Sequence, residues 1–244
     1  MHKFIAGFLS IAVLVPAVLF SGKIVSANSI LDQSATNELA ASIETNPELN
    51  TDPSTDLVFS YPDRPRTQDS DFLEFVGEVY TGYSETIAGI YVDEDFALTV
   101  IQQPQTQPGF ISTEEDTVTE FRLARDYGSI GLLAHNYLAG EKFFQLVLGE
   151  TIYVVYGDGT AQEYSILDIE SYQALTPNSP YSKFRNLEVD GEQLSAEDLF
   201  YRIYDQDDVL ILQTCIEREG NESWGRLFII AVPGEYTSAI PMEY

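Results

Sequence analysis

From Phe72 to Val232 the chain keeps returning to short runs of β-branched and aromatic residues, each stopped by Gly, Pro, Asn or Asp. Runs of this length are too short for most helices but suit strands with one or both faces buried. The spacing predicts strands over Ile87–Val92, Phe96–Ile101, Ile130–Ala134, Ile152–Tyr156, Tyr164–Ile169, Val209–Thr214 and Arg226–Val232. Gly157-Asp158-Gly159 separates the fourth from the fifth and is a hairpin signal, because glycine supplies the positive φ that a tight turn needs. Pro233-Gly234 ends the last run. The run ahead of Cys215, VLILQT, is apolar on both faces and predicts a central strand. Many short strands with few helices predict a mainly β fold, a barrel or a sandwich.

Three short helical pieces are expected. Thr113 to Asp116 has the Thr-x-x-acid form of a capping box ahead of Val118, Phe121 and Ala124. Glu141–Leu148 places Phe144, Val147 and Leu148 on one helical face. Ser195 to Asp198 repeats the capping pattern ahead of Leu199, Phe200 and Ile203.

The first 27 residues read differently. His2 and Lys3 precede the apolar stretch Phe4–Phe20, and Val25-Ser26-Ala27 offers the small residues that a signal peptidase reads. Residues 1–27 are therefore expected to be an export signal, or an uncleaved membrane anchor, and both place the rest outside the cytoplasm. Residues 28–70, poor in large apolar groups and punctuated by Pro47, Pro53, Pro62 and Pro65, are expected to be an acidic linker. Residues 71–244 are expected to form the folded domain. With 39 acids against 12 bases, the formal net charge is −27, which excludes a nucleic-acid partner because phosphates would be repelled. The acidic clusters at Asp93–Asp95, Glu114–Asp116 and Asp205–Asp208 lack the spacing of a calcium loop and read as solvated surface charge.

Residues able to carry chemistry are scarce. There is one cysteine, Cys215, so neither an internal disulfide nor a CxxC metal site exists. Cys215 closes the VLILQTC run, and a strand end would deliver its thiol to the rim of a sheet. The plain alternative is a small buried hydrophobe. Arg226 opens the next run after a ten-residue interval, and consecutive strands with a short connection usually pair antiparallel. That pairing would set its guanidinium beside the thiol, favouring a thiolate and able to stabilise an oxyanion. Past the signal region His135 is the only histidine, at the end of the run SIGLLAH. A thiol nucleophile needs a proton-handling partner that titrates near neutrality, and no other imidazole is at hand.

Leu212-Gln-Thr-Cys215, an arginine opening the following strand and a histidine ending an upstream one resemble the sortases, exported cysteine transpeptidases of bacterial surfaces. Leu132–Asn136, Phe144-x-x-Val147 and Gly149-Glu150-x-Ile152 are similar to stretches of the same family, and the likeness spans roughly residues 95–233. Ile211 departs from it where the family has Thr, and Ala134 where it has Gly. The resemblance implies a closed barrel of about eight strands with short helices. It implies that Cys215 attacks the carbonyl of an LPxTG-like sorting motif and forms a thioester. His135 would protonate the leaving amine, Arg226 would hold the carbonyl or oxyanion, and Thr214 would contribute to the pocket floor. The implied partners are a sorting-signal peptide and an amine acceptor, a cell-wall precursor or a pilin; neither cofactor nor metal is required. The reading that competes is a non-catalytic extracellular β-barrel for adhesion or assembly, or a sortase relative without turnover, in which the thiol is inert.

Overall fold

The protein is described by a computed structural model over residues 70–93 and 95–234. The expected signal or anchor at 1–27 and the expected linker lie outside the described residues, except Ser70, which begins helix α1 (Ser70–Val79). Phe72, Phe75, Val76 and Val79 recur at helical spacing and are all buried. They pack against Tyr91, Tyr153 and Val155 on the outside of the sheet. Among the described residues no helix is long and apolar enough to cross a membrane.

Ten strands follow: β1 (Ile87–Val92), β2 (Phe96–Gln102), β3 (Thr117–Glu120), β4 (Ile130–Leu133), β5 (Thr151–Tyr156), β6 (Ala161–Ala174), β7 (Phe184–Asn186), β8 (Gln193–Leu194), β9 (Leu210–Arg218) and β10 (Asn221–Pro233). They form one sheet in the order β10-β9-β4-β3-β2-β1-β5-β6-β7-β8. Strand β10 also pairs with β6, so the first eight in that order close into a barrel. Closure removes the exposed edges that a sandwich would have to protect, and it decides between the two architectures expected from the sequence. Two pairings are parallel, β2 with β3 and β4 with β9; the others are antiparallel.

Alternation along the strands separates two cores. Leu132, Ala134, Leu210, Leu212, Leu227, Ile229 and Ala231 face the barrel interior. Leu133, Ile211, Phe228 and Ile230, their neighbours in sequence, face outward and are covered by Phe121, Phe184, Leu199, Phe200 and Ile203. Much of that cover comes from α3 (Ala196–Tyr204), which begins with the expected capping box: the Ser195 hydroxyl accepts from the Asp198 amide at 3.0 Å. A second tether is ionic, Arg202 of α3 reaching Glu170 of β6 and Glu192.

The hairpin expected at Gly157–Gly159 joins β5 to β6, with Gly159 at φ 83°. Two of the expected helices differ. Thr113–Asp116 caps no helix; it leads into β3, because Thr117, Val118 and Thr119 pair with β2 in parallel register. There the Thr117 hydroxyl donates to the Glu114 carbonyl and is hydrogen-bonded to the Ser112 hydroxyl, and only Arg122–Arg125 (α2) is helical. The segment expected as an amphipathic helix over 141–148 is instead a 3₁₀ helix, Ala139–Gln145. Its tighter pitch buries Phe143, while Phe144, Val147 and Leu148 are exposed.

Candidate active site

The three residues singled out in the sequence belong to three adjacent strands or their continuations. In the antiparallel pairing of β9 with β10, Cys215 and Arg226 stand directly opposite one another. Directly opposed side chains share a face and lie roughly 5 Å apart at Cβ. The face is the outer one, since Ile211 precedes Cys215 on it and Phe228 and Ile230 follow Arg226. Cys215 is not at a strand end, as expected from the sequence: β9 continues to Arg218, and Cys215 is only 4% exposed. Ile216 follows Cys215 directly and pairs with Gly225, and Arg218 pairs with Asn221, so the ladder runs on past the thiol.

Arg226 is 3% exposed. Its Nη1 donates to the carbonyls of Gly225 at 2.7 Å and Ser223 at 3.2 Å, and its guanidinium lies 5.9 Å from the centre of the Phe184 ring. Both bonds use one nitrogen, so the Nε and Nη2 edge of the fork bonds no described residue. A guanidinium held this way is preorganised: its position costs nothing more when charge develops beside it.

His135 arrives from the other side. Strand β4 runs parallel to β9 with Leu133 opposite Gln213, and the ladder extends one residue further as the Ala134 amide donates to the Gln213 carbonyl at 3.1 Å. His135 follows Ala134 just beyond the end of that ladder, as Cys215 follows Thr214 on β9. The His135 carbonyl accepts from the amides of Leu138 and Gly140, both at 3.0 Å, which folds the chain back at once. The imidazole is 8% exposed and its Nδ1 is buried without a hydrogen-bond partner. Burial holds its pKa below 6.5, opposed by the Ile111 carbonyl and then by the Glu222 carboxylate. Near neutral pH the ring is therefore mainly uncharged and able to take a proton.

Thr214 occupies the other face. It is 1% exposed, and its hydroxyl donates to the Ala134 carbonyl at 3.0 Å. A Cβ built on Gly140 would fall 2.3 Å from its oxygen. Thr214 thus braces β9 against the chain leading to His135, and a hollow lies next to that chain.

That hollow has a volume of about 410 Å³ and is lined by Asn136, Tyr137, Glu141, Phe144, Ile216, Glu217 and Glu222. It carries three carboxylates and neither lysine nor arginine, so its wall attracts cations. Asn136 Nδ2 donates to the Glu222 carbonyl at 3.4 Å, linking the loop after β4 to the start of β10. Two residues that sequence reasoning passed over stand out. Tyr137 stacks on the imidazole, with centroids 5.1 Å apart and planes at 28°. Its phenol is shifted upward by burial, then by Glu222 and Cys215, which puts it within electrostatic reach of both. No motif marks Glu222; Tyr137 had only its nearness to His135 in sequence. Among the described residues no group of three His, Cys, Asp or Glu side chains is placed to hold a metal ion.

No family model matches the sequence, and no curated protein does. Solved structures do. Sortase A of Listeria monocytogenes is similar at 15% identity and a TM-score of 0.42, over 64% of this chain and 92% of that one. Sortase A from Corynebacterium diphtheriae is similar at 13% identity and 0.43, over 72% and 74%. Sortase C1 from Streptococcus suis is similar at 12% identity and 0.41, over 69% and 80%. These scores all lie below 0.5, so the barrel rests on the pairing of this chain's own strands, and the chemistry has to be read from them.

Proposed function

We propose that the protein is an extracytoplasmic cysteine transpeptidase of the sortase type. The observation that carries the proposal is the pairing of Cys215 with Arg226 across β9 and β10, with His135 two residues past the end of β4, which runs parallel to β9. The order of the three residues and the Leu212–Cys215 motif support the same reading, as does the export signal expected at 1–27.

In the first half-reaction the Cys215 Sγ attacks the carbonyl of an LPxTG-like segment while His135 accepts the thiol proton. Arg226 lies where its free edge can receive the developing oxyanion. When the tetrahedral species collapses, the C–N bond breaks, the imidazolium gives its proton to the leaving amine, and a thioester remains on Cys215. In the second half an amine attacks the thioester, its proton passes to His135, and Cys215 leaves as thiolate and is reprotonated. Splitting the transfer in this way replaces one hard acyl exchange with two easier ones.

The test is to incubate the protein with sorting-motif peptides, with and without an amine, and follow the protein by intact mass. The expected result is a peptide adduct on the wild-type chain, absent from Cys215→Ala and discharged by amine. Equal turnover by the two proteins would reject the nucleophile. The low exposure of Cys215 favours the second reading, a non-catalytic barrel with an inert thiol. Fast alkylation of the native thiol, rising with pH near neutrality, would count against it.

A further inference from the structure

One aromatic ring covers the imidazole from the solvent side. Tyr137 is 55% exposed, yet the imidazole beneath it is 8% exposed and the thiol beside that is 4% exposed. An aromatic that buried itself for its own sake would show the reverse; here the covering ring is wet and the covered groups are dry. The ring is also held in place from both ends. The His135 carbonyl receives the Leu138 and Gly140 amides, so residues 135–140 form a tight turn with Tyr137 near its apex. The preceding residue, Asn136, bonds the Glu222 carbonyl across to β10. Tyr137 thus touches the imidazole and at the same time forms a wall of the 410 Å³ hollow, together with Phe144 and Ile216.

We propose that Tyr137 is a positioning residue: its ring fixes the plane of the His135 imidazole and screens the thioester on Cys215 from bulk water, so that an amine entering by the hollow, and not water, resolves the acyl-enzyme. The inference rests on the transpeptidase reading above. Both outcomes break the same C–S bond. With an amine the new bond is C–N and the product an amide; with water it is C–O and the product a carboxylic acid. In each case Cys215 departs as thiolate, so the selection lies in which nucleophile reaches the carbonyl.

The experiment compares wild type with Tyr137→Phe, Tyr137→Leu and Tyr137→Ala, measuring thioester formation by intact mass and, separately, the ratio of hydrolysed to aminolysed product at fixed amine. Because Tyr137 is largely exposed, all three variants are expected to fold, and thermal melts check this. Tyr137→Ala should raise the hydrolysis-to-aminolysis ratio about tenfold and speed alkylation of Cys215, Tyr137→Leu should fall between, and Tyr137→Phe should match wild type in both. A ratio in Tyr137→Ala equal to that of wild type, with thioester still forming, overturns the role of Tyr137 and leaves the transpeptidase reading intact. A Tyr137→Phe variant that behaves like Tyr137→Ala also overturns it, because the ring would then not be the operative part. Failure of wild type to form any thioester removes both.

Discussion

Replacing Gly140 with alanine is the sharpest single perturbation of the site that leaves every reactive group in place. A Cβ there would sit 2.3 Å from Thr214 Oγ1, 2.7 Å from the His135 carbonyl oxygen and 2.9 Å from the His135 carbonyl carbon. Against a tolerable contact of 3.4 Å, the shortfalls are about 1.1 Å at the hydroxyl and about 0.7 Å at the carbonyl oxygen. Neither neighbour yields easily: the hydroxyl is bonded to Ala134 O, and the carbonyl is backbone, itself bonded by two amides. The strain should appear twice. Overpacking of this kind costs about 1–3 kcal/mol, or a Tm lower by about 2–12 °C for a domain of this size. The chain bearing His135 must also shift by a sizeable fraction of an ångström, and a misplacement of about 1 Å costs about 100-fold in rate. Thioester formation by Gly140→Ala is therefore expected to fall by about 10–100-fold, read by intact mass, with the melt followed by circular dichroism. Gly77→Ala is the control of opposite sign: it lies in α1 with nothing within 4 Å of the added Cβ, and should stabilise by about 1 kcal/mol. A Gly140→Ala protein with wild-type melting and wild-type acylation would refute the claim that the close packing of Gly140 against Thr214 and His135 sets the site.

Further consequences can be measured directly. Arg226→Lys keeps the charge but loses the fork, so acylation should fall about 100-fold or more in single-turnover kinetics, with little recovery over Arg226→Ala. Because burial lowers the pKa of His135 below 6.5, the unfolded chain binds its proton first. The contribution of that histidine to stability is present above about pH 6.5 and is lost as pH falls through its folded-state pKa. Urea unfolding of wild type and His135→Gln should show the wild type losing stability relative to the variant between pH 7 and the acid side of that window. Phe200→Ala removes a ring in contact with Phe121, Tyr127 and Tyr204 beneath α3 and should cost about 3–5 kcal/mol, seen as a lower urea midpoint at unchanged m-value.

Much of the wall was legible as sequence. The VLILQT and RLFIIAV runs became β9 and β10, and the glycines at 157 and 159 made the hairpin. The Ser195 box capped α3 because its partners are only three residues away. The Phe72, Phe75, Val76, Val79 stripe was equally plain, though no helix was drawn from it. Strand β3 was hidden because a Thr-x-x-acid pattern has two uses, and only the β2 partner selects the strand. Strands β7 and β8, three and two residues long, carry too little periodicity to register.

By itself the sequence determined which residues were available, a lone thiol, one imidazole beyond residue 27 and an arginine on the next strand. It also determined that thiol and arginine would be neighbours, since two strands joined by a short turn have little choice but to pair. Tertiary structure alone decided that β4 would lie parallel to β9, 80 residues away in sequence as measured by the Thr214–Ala134 bond, and so carry the chain that leads to His135 along β9. It decided too that the cysteine would be buried on the outer face, and that Tyr137 and Glu222 would surround the histidine. These are non-local contacts, fixed by how a closed barrel spends its pairing partners, and no local pattern encodes them.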